Sequence, residues 1–111
     1  MPLKAKLKKA VSKKEAWEYT PDVIMALGAT TLGTHDDTDL QTFSITMLNY
    51  VKGFEPGADT QARHEKEELK SAFSFCQGAF NRGGRMRTLA LPKFYAAAQK
   101  AKGWTGTGVR Q

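Results

Sequence analysis

The residues best suited to chemistry in this chain cluster at Phe80-Asn81-Arg82-Gly83-Gly84-Arg85-Met86-Arg87, where three guanidiniums surround a glycine pair. A guanidinium fork matches two phosphate oxygens at once, and glycines let backbone amides approach an anion closely. Lys93, Lys100 and Lys102 extend the positive charge, while Phe94, Tyr95 and Trp104 add ring faces. Cations interleaved with aromatics are what single-strand binding requires: an electrostatic track for the backbone and platforms on which bases stack. Phe94 and Tyr95 also suit a core, and the arginines also suit helix carbonyls. Trp104 stands apart, because Gly103 and Gly106 flank it and only Val109 follows as an apolar neighbour. Its ring is therefore expected to stay wet and available to a base.

Other reactive side chains point to little chemistry. His35-Asp36-Asp37 is spelled like part of a metal-dependent phosphohydrolase site, but such sites need several further histidines, and only His64 remains. His64-Glu65 begins like a zinc-protease helix and then lacks a second histidine at the required spacing. His35 reads more simply as a loop cap, and His64 as a solvated residue on an acidic helix face. The single cysteine, Cys76, lies among Phe73, Phe75 and Phe80, a setting for a small core residue rather than a nucleophile. There is no Walker-type phosphate loop and no dinucleotide fingerprint. The expectation is no enzymatic activity, no cofactor and no metal.

Charge is segregated along the chain. Residues 1–14 hold six lysines and no acid, residues 15–68 hold all eleven carboxylates against three bases, and residues 69–111 hold eight bases and no acid. Such segregation makes a field that attracts polyanions and their condensed counterions. A double-strand reader of the helix-turn-helix kind fits poorly, since its recognition helix would open on Asp36, Asp37 and Asp39, which phosphates repel.

The positioning elements follow from local signals. At 111 residues the chain makes one domain with a core of its own. Ser12 and Glu15 have capping-box spacing before a short helix through Tyr19. Thr20 and Pro21 open a helix to Leu27, and Gly28 suits a left-handed stop. Ala29 to Asp37 reads as a loop. Asp39 to Lys52 carries both a helical stripe (Leu40, Phe43, Met47, Leu48, Val51) and a strand-like alternation through Phe43, Ile45 and Met47. The Thr38 and Gln41 pair, the aspartates at the start and Gly53 at the end favour helix. Asp59 to Asn81 is the clearest helix, with Leu69, Phe73, Cys76 and Phe80 on one stripe, ending at Gly83-Gly84. Arg85 to Leu91 is a short strand or a turn of helix, and Pro92 opens a last helix over Lys93 to Lys102.

The predicted fold is mainly α, with a basic flexible arm at 1–11, a helical domain at 12–103 and a glycine-rich flexible tail at 104–111. The alternative is α+β, with a strand pair at 42–48 and 85–91. The expected function is single-stranded nucleic-acid binding, DNA before RNA, as an accessory factor in transcription or replication, of a style suited to a phage. Arg82, Arg85, Arg87, Lys93, Lys100 and Lys102 would hold phosphates, Tyr95 and Trp104 would stack on bases, and Lys8, Lys9, Lys13 and Lys14 would form an electrostatic arm. A homodimer or higher oligomer would lengthen the footprint. The alternative is a basic interaction protein that docks an acidic partner and modulates a host enzyme. The single cysteine and the lack of any long apolar run suggest a cytoplasmic protein without a membrane partner.

Overall fold

The computed structural model describes residues 18–104 and Val109. Thr20 begins the first helix among the described residues, α1 (Pro21–Ala26): its hydroxyl accepts from the Val23 amide, and Pro21 fills the first position, where its missing amide costs nothing. The stop differs from expectation. Leu27 ends α1 in extended backbone, and Gly28, also extended, starts a single turn, α2 (Ala29–Leu32), inside the stretch expected to be a loop.

Helix α3 (Asp37–Lys52) is capped by Asp36, whose carboxylate accepts from the Asp39 amide at 2.8 Å, so the cap lies two residues before the expected Thr38. The helical stripe wins over the alternation: Leu40, Phe43, Met47 and Val51 are fully buried, while Ile45, which a strand would have turned inward with Phe43, is 41% exposed. The hydroxyls that made the segment look like a strand are absorbed by the helix itself. Thr42, Ser44 and Thr46 each donate to the carbonyl four residues earlier, at 3.1, 2.9 and 2.9 Å. This back-bonding lets even the buried Ser44 remain satisfied.

Asp59 caps α4 (Thr60–Arg82) through the Ala62 amide, and the helix buries Leu69, Phe73, Cys76, Ala79 and Phe80 as the stripe requires. Gly83 then takes φ +70° and ψ −162°, a backbone region that only glycine occupies readily. It ends α4 and starts α5 (Gly84–Ala101) with no intervening loop. Neither member of the alternative strand pair forms, since 42–48 and 85–91 are both helical. Pro92 sits inside α5 rather than at its start. Proline cannot donate to the Thr88 carbonyl, but Thr88 and Pro92 both lie on the exposed side of the helix, where solvent can satisfy that carbonyl.

Helix α3 packs along α4 and α4 along α5, with α1 set against α3 and α5 and α2 against α5. Phe73, Phe80 and Phe94 meet between α4 and α5 with centroids 5.3 and 6.0 Å apart. Tyr19, His35 and Phe43 form a second aromatic group under α1 and α2. The 53–59 turn is tied to α4 by Lys66, which donates to the Phe54 carbonyl, and by Arg63, which donates to that of Gly57. Glu55 and Val109 form an isolated parallel β-bridge. No helix among them is long and apolar enough to cross a membrane.

Candidate nucleic-acid interface

At about 100° per residue, Arg85, Lys93 and Lys100 fall within one arc of about 80° on α5, together with Leu89 and Ala96. All five are exposed. Helix α5 contains no acidic residue, and no carboxylate pairs with Arg82, Arg85, Lys93, Lys100 or Lys102 among the described residues. Arg82, on the last turn of α4, adds a further cation at the glycine junction. The sequence-predicted cluster is thus partly assembled: Arg82, Arg85, Lys93 and Lys100 share a basic ridge.

Four members of the expected set lie elsewhere. Arg87 is committed to structure: it donates to Asp37 Oδ1 at 2.8 Å and to the carbonyls of Gly33 and His35 at 2.9 and 2.7 Å. Its fork closes the turn between α2 and α3 onto α5, so it is not available to phosphates. Trp104 is not the wet platform expected, nor does it belong to a flexible tail. It is 3% exposed, lies on Phe54 at a centroid distance of 4.2 Å, and donates its indole N–H to Glu65 Oε1 at 2.9 Å. The flanking glycines misled because the apolar partner, Phe54, is distant in sequence. Tyr95 is half-buried against the core, about 160° around α5 from Lys93. Lys102 is exposed on that same flank, at the end of the helix. Lys8, Lys9, Lys13 and Lys14, and the Ser12 to Glu15 capping box, lie outside the described residues.

One exposed aromatic was misplaced by sequence reasoning. Phe75 was grouped with the core phenylalanines around Cys76, yet it is 41% exposed, with the Lys93 ammonium 5.6 Å from its ring centroid. The signal was present in the register: the stripe that buries Phe73, Cys76 and Phe80 turns Phe75 outward. It stands beside a shallow groove of about 400 Å³ between α4 and α5, walled by Lys93 and Lys100 and floored by Leu69, Ala72 and Ala97. Glu65 and Glu68 border the groove on the α4 side.

The histidines and the cysteine behave as packing and surface groups. His35 is 7% exposed, its Nδ1–H donates to the Thr31 carbonyl at 3.0 Å, and Tyr19 and Phe43 flank its ring. His64 is exposed and meets Glu68 at 2.6 Å. Burial pushes the Cys76 thiol up to about 12, with the Lys93 charge pulling only partly against it. Its Sγ faces the Ala90 carbonyl at 3.7 Å. Among the described residues no three His, Cys, Asp or Glu side chains converge on a point that could hold a metal.

No family model, curated protein or solved structure matches this chain.

Proposed function

We propose that the protein binds nucleic acid, single strands in preference to duplex, and that it does so without catalysing a reaction. The observation that carries this reading is the acid-free exposed arc of α5, where Arg85, Lys93 and Lys100 stand together beside Arg82. Unpaired cations on one face release condensed counterions when phosphates replace them, which drives sequence-independent association. Single strands are the better substrate because the ridge borders a shallow groove with an exposed ring, whereas a helix opening on aspartates is unsuited to a major groove. The role that fits is an accessory factor in transcription or replication, with assembly into dimers or higher oligomers lengthening a short footprint.

A second reading is favoured by Leu89, which is 55% exposed between Arg85 and Lys93 on the basic arc. A leucine amid cations suits a protein partner that is acidic and partly apolar, and through such a contact the chain would modulate another enzyme. Binding of the purified protein to matched single-stranded and duplex oligonucleotides at two salt concentrations separates the two. The nucleic-acid reading expects single-strand affinity to exceed duplex affinity and to fall with salt. Absence of binding to either oligonucleotide would move the assignment to the protein partner.

A further inference from the structure

The geometry points to Phe75 as the stacking platform for one unpaired base, with Lys93 as the cation that holds the adjoining phosphate. This rests on the nucleic-acid reading above and names the site within it. Phe75 is the one aromatic ring on the outer surface of α4 that meets a cation of the basic ridge. Its ring is 41% exposed although the same helix buries Phe73 and Phe80 completely. A large ring left at the surface beside a groove offers a π-face that any base can cover, which is why such platforms tolerate sequence.

The neighbours fit a base better than a bulky partner. Ala72 and Ala96 border the groove and are small, so a flat ring can enter alongside Phe75 without displacing a long side chain. Lys93 reaches over Phe75 at 5.6 Å, a cation–π distance, and its exposed stem is free to swing its ammonium from the ring to a phosphate once a base arrives. Charge then sets a direction along the groove. Toward Gly83 stand Arg85 and Arg82, while Glu68 lies two turns of α4 in the other direction, about 10 Å along the axis from Phe75. A strand arriving over Arg82 and Arg85 therefore meets the groove at Phe75, and farther along it Lys100, which lines the groove with Glu65 and Glu68, offsets the carboxylates for the next phosphate.

The test uses a fluorescein-labelled oligodeoxycytidylate of about twelve nucleotides and a duplex of equal length, with binding followed by anisotropy for the full-length protein and three variants. Phe75→Ala should lower single-strand affinity by about ten- to a hundredfold and leave duplex affinity and the melting temperature nearly unchanged. Phe75→Trp should keep or raise single-strand affinity and add an emission, measured against the wild-type background of Trp17 and Trp104, that the oligonucleotide quenches. Arg82→Ala/Arg85→Ala should weaken single strands and duplex alike. If that double variant weakens binding while Phe75→Ala and Phe75→Trp bind as wild type without quenching, the platform is refuted and the basic ridge stands. If wild-type protein binds neither oligonucleotide, platform and ridge fall together.

Discussion

Trp104 lies flat on Phe54, with planes 13° from parallel, and its indole N–H reaches Glu65 on α4. One residue thereby fastens three elements: the chain leaving α5, the turn after α3 and the first half of α4. Tyr50 packs edge-on against the other partner, Phe54, at 5.0 Å, which extends the aromatic group into α3.

Trp104→Ala should therefore act on stability before it acts on any ligand. Removing a buried indole from a packed stack is expected to cost about 3 to 5 kcal/mol. Trp104→Phe keeps the ring contact and loses the bond to Glu65, for about 1 kcal/mol. Urea denaturation gives both values. A melting profile unchanged in Trp104→Ala would place the ring outside the core.

The junction between α4 and α5 makes a second prediction. Gly83 holds φ +70°, and a Cβ added there would stand 2.7 Å from Asp37 Oδ2, the carboxylate that also receives Arg87. Gly84 has φ +54° but open space around it. Gly83→Ala should thus destabilise by clearly more than the roughly 1 kcal/mol expected of Gly84→Ala, since it adds a clash to the backbone strain. Arg87→Ala should cost about 1 to 2 kcal/mol, mostly through the carbonyls of Gly33 and His35, because Asp37 is 44% exposed and its ion pair is screened. Arg87→Lys should not restore the loss, as an ammonium cannot span three acceptors in a fork. Equal stabilities for the two alanine variants at Gly83 and Gly84 would argue against the contact with Asp37.

Cys76 supplies a pH dependence. Its thiol is held near 12 in the folded protein by burial, well above the ordinary value of 9.0. As pH rises past 9 the unfolded chain releases this proton first, so it binds fewer protons than the native state and stability falls. The loss should run between about pH 9 and 12, approaching a tenfold drop in the folding constant per pH unit from this group alone. Tyr19 and Tyr50, both raised by burial, add to the decline in the same direction. Denaturation at pH 8 and pH 10 should show a smaller difference for Cys76→Ala than for wild type, and an equal difference would mean that the thiol is not desolvated.

Much of the architecture was legible because its signals are local. Asp59 and Gly83 bound α4, Thr20 and Pro21 open α1, and the Leu69, Phe73, Cys76 and Phe80 stripe set the burial of the central helix. Pro92 misled because a proline that often starts a helix is tolerated inside one when the bond it forfeits faces water. The basic ridge was legible as composition, since no acid follows Glu68 in the chain. Assigning its members was harder. Arg87 and Trp104 are withdrawn by partners far away in sequence, Asp37 and Phe54, and nothing in the spacing around either residue announces them. Phe75 was available from the helical register yet hidden by its neighbours' aromatic character.

The claim that one face of α5 contacts phosphates is tested most directly by the salt dependence of single-strand affinity in wild type and in Arg85→Ala/Lys93→Ala/Lys100→Ala, with circular dichroism confirming the fold. If about four to six phosphates are neutralised, log affinity should fall against log salt with a slope of roughly −3 to −4 in wild type, at about −0.7 per contact. The triple variant should lose about 2 of that slope. Binding that is flat with salt, or a variant whose slope equals that of wild type, would contradict the account.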